Sequence, residues 1–295
     1  MRRSEGVRRS LVVAAILFVA CSTVAPRTEA QTRSRSGRDE LRIGGAPAAH
    51  PSLSLVRTDA VQPGDDGTFR PTVIVRRGTS QGTGTIIATD AKESLVLTAA
   101  HVVAGEGSIT VELHRYNIGL EKTAGGAWPL VIVAEVAASD PAADVAVLRF
   151  REPSPVPFVA RLYEGDPDAV AADSLATSLG VDLGARLSSW NTRIVKSTRL
   201  QLEGEGWGRP FLITLKIPEH GRSGGGLFLA EGRLVGVCVG HAELVEGRRM
   251  GVFASIASVR RLLLEQKLDA LVDRSQARLA PAPAARSTDE KPTAR

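Results

Sequence analysis

The chain has 295 residues, of which 43% are hydrophobic, 23% charged and 4% aromatic, and its formal net charge is +5. Two cysteines are too few for a disulfide-stapled scaffold or a cysteine-rich zinc framework. The charge forms no long run of one sign and no basic stripe with interleaved aromatics, so no nucleic-acid partner is expected. The composition predicts an ordinary globular protein with room for one large core or two smaller ones.

Residues 1–30 have the layout of a secretory signal peptide. Arginines at the start precede the apolar run 11–20, and Thr28 and Ala30 form a small-residue cleavage site. The run is about half the ~20 residues that a membrane-spanning helix needs, so no integral span is expected. We therefore expect export to the periplasm or the extracellular space. The alternatives are an uncleaved N-terminal anchor and a lipid anchor at Cys21, which directly follows the run as in a bacterial lipoprotein signal.

The body of the chain, residues 71–272, follows a flexible lead-in predicted for 31–70 from its Arg, Ser, Gly and Pro content. Its segments are short, β-branched and separated by turn residues about every ten residues, and no helical period alternates with them. This pattern predicts an all-β fold and argues against a parallel βαβ sheet. Two comparable sets of strands divide near residues 152–157. The predicted strands are Thr72 to Arg76, Thr85 to Ala88, Ser94 to Thr98, Ser108 to His114, Leu130 to Val136, Val145 to Phe150, Thr192 to Lys196, Phe211 to Leu215 and Arg233 to Val239.

The C-terminal part of the chain predicts one helix and a tail. Ile256, Val259 and Leu263 lie at helical spacing with charged residues between them, so an amphipathic helix is predicted over 255–272. The prolines and polar residues of 273–295 predict a disordered tail.

A glycine-rich loop, Gly221-Arg222-Ser223-Gly224-Gly225-Gly226, surrounds one serine. Glycines permit a sharp turn that aims the hydroxyl outward and leaves backbone N–H groups free to face an anion. To act as a nucleophile, the serine needs a base and donors that hold the resulting oxyanion. His101, at the end of a predicted buried strand, is the candidate base. The carboxylate that orients it would be Asp144, just before an apolar strand, or Asp140.

Three stretches together resemble the chymotrypsin-like serine proteases. They are Thr98-Ala99-Ala100-His101, Asp144 with its following strand, and Gly221-x-Ser223-Gly224-Gly225, in the family's order His, Asp, Ser. The glycine pattern that begins at Gly82 and the lack of a disulfide framework look most like the bacterial HtrA-type branch. The resemblance implies two six-stranded antiparallel β-barrels, about 71–155 and 156–253, followed by the helix at 255–272. No PDZ domain is expected, since only about twenty residues follow that helix.

The resemblance also implies roles for individual residues. Ser223 would be the nucleophile, His101 the general base and then acid, and Asp144 the orienting carboxylate, with the N–H groups of Gly221 and Ser223 forming an oxyanion hole. The reaction would be hydrolysis of protein or peptide substrates through an acyl-enzyme, without a cofactor. No metal is expected, because no His-Glu-x-x-His motif is present and the cysteines are far apart.

The resemblance also implies which residues contact the substrate and set the cleavage preference. The family's primary pocket has its base six residues before the nucleophile, which is Ile217 here, so an apolar preference is expected. Val239 and Gly240 should form a wall along which an extended substrate adds as a strand.

Two positions depart from the family pattern. Arg222 stands where the family usually has Asp or Asn, and Gly226 stands where it usually has Pro. These departures favour the alternative hypothesis of a protease-like binding module that has lost turnover. An α/β-hydrolase is a poorer match, since its acid and histidine should follow the serine and no aspartate lies between Ser223 and His241.

Overall fold

The computed structural model describes residues 65–120, 122–151, 156–170, 172–182, 186–201, 208–244 and 247–279. The predicted signal peptide, Cys21 and most of the lead-in lie outside these residues. The strands are β1 (Thr72–Arg77), β2 (Ser80–Thr89), β3 (Ser94–Thr98), β4 (Ile109–Leu113), β5 (Leu130–Asp140), β6 (Val145–Phe150), β7 (Arg161–Leu162), β8 (Leu175–Asp182), β9 (Arg186–Leu200), β10 (Arg209–Thr214), β11 (Gly226–Leu229), β12 (Arg233–Leu244) and β13 (Arg248–Ser255), and the α-helices are α1 (Ile256–Glu265) and α2 (Asp269–Leu279). No α-helix in the described ranges is both long and apolar enough to cross a membrane.

The first six strands form a closed barrel in the order β1-β2-β3-β6-β5-β4, with antiparallel neighbours throughout. β-branched and aliphatic residues fill its interior, since alternate side chains of each strand point inward. Val73, Val75, Ile86, Val96 and Leu148 are fully buried there. This barrel carries the candidate histidine and aspartate.

The second sheet follows the order β11-β8-β9-β10-β13-β12-β7. An additional β11–β12 pairing joins six of these strands into a ring. Phe253 is buried in one cluster of this sheet with Leu212 and Trp190. Phe211 and Phe228 are buried in a second cluster, which also includes residues of the first barrel and of α1. The predicted all-β fold of two strand sets with a C-terminal helical element is confirmed. One pairing differs from the antiparallel expectation, because the two-residue β7 lies parallel to β12.

The helical end differs from the prediction of a single helix over 255–272. The structure has two helices, and α2 continues to Leu279, past the predicted start of a disordered tail at residue 273. The break lies at Lys267, whose φ of 57° is left-handed and cannot continue a helix. Polar contacts hold the second helix: Ser275 donates to the carbonyl of Thr89 at 2.7 Å, and Gln276 donates to the carbonyl of Ala160 at 2.8 Å. Hydrophobic spacing does not reveal contacts of this kind.

The end of the predicted flexible lead-in is also ordered. Residues Asp65–Gly67 form a 3-10 turn, and Phe69 is buried against Tyr116, with 5.1 Å between the ring centroids. The folded domain therefore begins by residue 65, since Phe69 packs in the core and Asn117 donates to the carbonyl of Arg70 at 2.6 Å.

Candidate active site

Strand pairing brings His101 and Asp144 together. β3 and β6 are antiparallel and Thr98 pairs with Ala146, so the end of β3 and the start of β6 lie at the same rim of the barrel. His101 lies three residues beyond Thr98, and Asp144 immediately precedes β6. The Nδ1 of His101 lies 2.6 Å from Oδ2 of Asp144, and the backbone N–H of His101 donates to Oδ1 at 2.9 Å.

The environment of this pair suits an orienting carboxylate. The Asp144 side chain is only 7% exposed, whereas His101 is 23% exposed, so the imidazole reaches the surface and the carboxylate lies behind it. Asp144 has a φ of 53°, a left-handed conformation that Asp and Asn tolerate better than most residues. With Nδ1 engaged by the carboxylate, Nε2 is left to accept a proton.

The alternative carboxylate, Asp140, has other partners. Arg209 donates to its Oδ2 at 3.2 Å, and Arg261 of α1 contacts the same oxygen. These contacts tie the first barrel to the second sheet and to the helix. Asp144 is therefore the carboxylate that contacts His101.

The loop that carries Ser223 lies between β10 and β11 and is docked on the first barrel. Gly224 has a φ of 84°, and a Cβ there would lie 2.1 Å from the carbonyl oxygen of Thr83. Its N–H donates to the carbonyl of Cys238 at 2.7 Å. Only glycine permits both this conformation and this close approach, so the glycine after the serine joins the two halves of the molecule.

Thr83 holds the loop from the first barrel. Its N–H donates to the carbonyl of Ser223 at 2.8 Å, and its hydroxyl donates to the carbonyl of Gly221 at 2.8 Å. The same hydroxyl accepts from the N–H of Val181 on β8 at 2.9 Å. The predicted glycine pattern at Gly82 therefore has a structural reason inside β2: a Cβ at Gly82 would lie 2.9 Å from the carbonyl oxygen of Ser223.

Three polar groups of the loop make no hydrogen bond with the residues that the structure describes. Within the described part of the chain, the N–H groups of Gly221 and Ser223 donate no hydrogen bond, which leaves both available to an anion. The Ser223 hydroxyl likewise has no partner among the described residues, so it is not hydrogen-bonded to His101. Catalytic hydrogen bonds are often long without a substrate and tighten when one binds.

The residues predicted to contact substrate lie in two segments. Ile217 follows β10 and is 37% exposed. On β12, the Val239 side chain is buried, whereas Gly240, at a bulge with a φ of 147°, faces open space. Gly240 is thus the member of this pair that leaves room beside the strand. His241 follows it, and burial together with the charge of Arg249 lowers the pKa of this imidazole.

Cys238 is a buried free thiol. Complete burial raises its pKa to about 12, so the thiol is neutral at physiological pH. The described residues contain no group of three or more His, Cys, Asp or Glu side chains that could hold a metal ion.

Sequence reasoning identified neither the reason for Gly226 nor the partner of Arg222. Gly226 lies in β11, where a Cβ would come within 2.4 Å of the Phe228 ring, so packing requires the glycine. Arg222 is completely buried, and Asp182 of β8 binds its guanidinium. A strong local signal marks the serine, but nothing in the sequence around Asp182 links it to a residue 40 positions later.

A family model described as the trypsin-like peptidase domain matches residues 82–237, which is more than half of the chain. The chain belongs to the trypsin-like peptidase family. The matched segment contains both His101 and Ser223. The resemblance inferred from these residues is thereby confirmed at the level of the family.

Known proteins similar to this trypsin-like peptidase include serine protease Rv3671c of Mycobacterium tuberculosis strain H37Rv. The two are 29% identical over 209 residues, which cover 66% of this chain and 45% of that protein. The chain thus spans about half the length of the curated relatives it matches.

Two solved structures show the same fold. The crystal structure of the Rv3671c protease from M. tuberculosis in its active form has a TM-score of 0.56 at 24% identity, covering 78% of this chain and 93% of that one. The HtrA-type protease AlgW with a tripeptide has a TM-score of 0.52 at 21% identity, covering 68% and 61%. This trypsin-like peptidase therefore has a chymotrypsin-like protease fold.

Proposed function

We propose that this protein is a serine endopeptidase that hydrolyses peptide bonds through Ser223, His101 and Asp144. The observation that carries the proposal is the hydrogen bond between His101 Nδ1 and Asp144 Oδ2, at 2.6 Å. A carboxylate in this position fixes the imidazole tautomer and stabilises the imidazolium that forms when the base takes a proton.

In the proposed reaction, Nε2 of His101 accepts the Ser223 proton as Oγ attacks the substrate carbonyl carbon. The N–H groups of Gly221 and Ser223 then hold the oxyanion, a contribution worth about 3 to 4 kcal/mol per donor in other enzymes. His101 gives its proton to the leaving amine, and an acyl-enzyme remains. Water, deprotonated by the same imidazole, hydrolyses the ester and restores Ser223.

The proposed substrates are exported or unfolded proteins bound as extended chains. An extended segment would pair with the edge of β12 beside Gly240, where open space adjoins the strand. Because Ile217 is apolar and 37% exposed, we propose an apolar preference at the primary position. A peptide library cleaved mainly after Arg or Lys would contradict this preference.

The proposed site of action is outside the cytoplasm, reached through the signal peptide of residues 1–30. Mapping of the mature N-terminus to Gln31 would support cleavage after Ala30. Incorporation of radiolabelled palmitate that is lost in Cys21→Ser would instead support the lipid anchor.

Labelling with a fluorophosphonate probe tests the proposed activity. The purified wild-type protein should form a stable adduct, whereas Ser223→Ala, which removes the attacking oxygen, should form none. His101→Ala should label far more slowly while keeping its circular dichroism spectrum. A folded wild type that labels no better than Ser223→Ala would contradict the protease proposal and support the non-catalytic binding module.

A further inference from the structure

The residue before the nucleophile carries a charge into the interior. Arg222 has no exposed surface and is the largest fully buried side chain among the described residues. Burial of a guanidinium is unfavourable unless its charge and its N–H groups are matched. The groups around Arg222 must therefore match its charge and its N–H donors.

Asp182, the last residue of β8, matches the guanidinium in a two-pronged arrangement. Nε of Arg222 donates to Oδ1 at 2.8 Å, and Nη2 donates to Oδ2 at 2.7 Å. Paired, parallel hydrogen bonds of this type fix the orientation of both groups as well as their separation.

The remaining contacts form a pocket for the guanidinium in the second sheet. Nη1 donates to the carbonyl of Ser178 at 3.0 Å, and Ser188 contacts Nη2 through its hydroxyl. The guanidinium carbon lies 4.8 Å from the centre of the Trp190 ring, on which it stacks. Gly180 provides the space, because a Cβ there would lie 2.7 Å from Cγ of Arg222.

The backbone on either side of Arg222 supplies the oxyanion hole of the proposed reaction. The N–H of Ser223 belongs to the peptide group that begins at the Arg222 carbonyl, so the orientation of Arg222 sets the direction of that donor. Thr83 holds the neighbouring carbonyls of Gly221 and Ser223 from the first barrel. The side chain of Arg222 adds a further anchor, to Asp182 at the end of β8.

We infer that Asp182 and Arg222 are positioning residues that hold the oxyanion-hole loop in its working conformation. This inference rests on the proposed protease function and adds the device that organises the site. An ion pair formed within the chain, between a strand of the second sheet and the residue before the nucleophile, fixes the loop. Catalysis therefore depends on a carboxylate 40 positions away that touches no reacting atom.

Steady-state kinetics of the full chain on a chromogenic peptide test the inference. Asp182→Asn and Arg222→Met should each lower kcat by roughly 10- to 100-fold, a loss typical of ångström-scale misplacement, while KM changes less than about threefold. Arg222→Lys keeps the charge but not the two-pronged geometry, so its kcat should lie between those of Arg222→Met and the wild type.

The double variant Asp182→Asn/Arg222→Met separates positioning from stability. Removing both partners leaves no unpaired buried charge, so its Tm should exceed that of Asp182→Asn. Its kcat should nevertheless stay low, since the loop then lacks its anchor on β8. Recovery of kcat together with Tm would overturn the inference.

A second ion pair supplies the matched control. Arg149 Nε lies 2.8 Å from Glu93 Oε2, both side chains are about a quarter exposed, and Arg149 lies near the end of β6 opposite Asp144. Glu93→Gln/Arg149→Met should leave kcat within about twofold of the wild type. An equal loss of kcat in this control would also overturn the inference.

Hydrogen exchange measures the stability of the loop without requiring turnover. It therefore distinguishes failure of the protease proposal from failure of the positioning role of Asp182 and Arg222. The Gly224 and Gly225 amides, which donate to Cys238 and Arg222 carbonyls, should exchange at least about tenfold faster in the Asp182 and Arg222 variants than in the control. If the wild type fails the fluorophosphonate test, the protease proposal fails and exchange alone decides whether the pair anchors the loop. Unchanged exchange and unchanged kcat in Asp182→Asn overturn the inference.

Discussion

Replacement of Thr83 by valine removes one hydroxyl that bonds both the nucleophile loop and the second sheet. In the wild type, the Thr83 hydroxyl lies 2.8 Å from the Gly221 carbonyl oxygen and 2.9 Å from the Val181 nitrogen. Thr83→Val keeps the side-chain shape but leaves both groups without this partner. A buried donor or acceptor that loses its hydrogen-bond partner lowers the free energy of unfolding by about 1 to 3 kcal/mol. Water can reach the half-buried Gly221, so we expect a total of about 3 kcal/mol. For a domain of this size that corresponds to a Tm decrease of about 6–12 °C.

The same strand contains the control for this prediction. The Thr85 hydroxyl is buried and has no hydrogen-bond partner in the described part of the chain. Thr85→Val should therefore leave the free energy of unfolding unchanged or raise it by up to about 1 kcal/mol. Urea denaturation followed by tryptophan fluorescence measures both variants. Equal destabilisation by the two substitutions would refute the assignment of Thr83 as the bridge between the halves, as would a Thr83→Val protein with wild-type kcat and stability.

Three further experiments test the geometry of the candidate active site and its surroundings. Asp144→Asn should lower kcat by about 10⁴-fold in a peptide assay, since the amide favours the wrong His101 tautomer, and the left-handed backbone accepts Asn; a kcat within tenfold of wild type would contradict the orienting role. In Cys21→Ser, the Cys238 thiol, with its pKa raised to about 12, should not react with a disulfide reagent at pH 8 until urea unfolds the protein; rapid native-state reaction would show that it is exposed. Gly224→Ala should abolish labelling and cost more than about 3 kcal/mol by urea denaturation, because its Cβ would lie 2.1 Å from a backbone oxygen; a stable, active variant would contradict the docking geometry.

The strands and the catalytic motifs could be predicted from the sequence because both are local patterns. The apolar runs of β3 and β6 are bounded by polar and turn residues, and the residues beside His101 and Ser223 have a recognisable spacing. Short or polar strands escaped prediction: β7 has two residues, and β8 ends in Asp182, whose carboxylate serves the loop rather than the surface.

Contacts between distant segments could not be predicted from one sequence. The sequence left Asp140 as the alternative to Asp144, and the contacts of Asp140 with Arg209 and Arg261 are visible only in the structure. Arginine ordinarily prefers the surface, and the sequence alone does not show that Arg222 is completely buried. Its partner is visible only when β8 and the nucleophile loop lie side by side.

Strand β2 ties the molecule together across long stretches of chain, with a consequence for the order of folding. Thr83 bonds a residue 138 positions later, and Thr89 bonds α2 186 positions later. Contacts of such sequence separation form late, because a long loop must close first. The nucleophile loop gains the Thr83 contacts only after the chain has been synthesised beyond residue 221. The topology therefore delays assembly of the candidate active site until strands of both halves of the molecule have been synthesised.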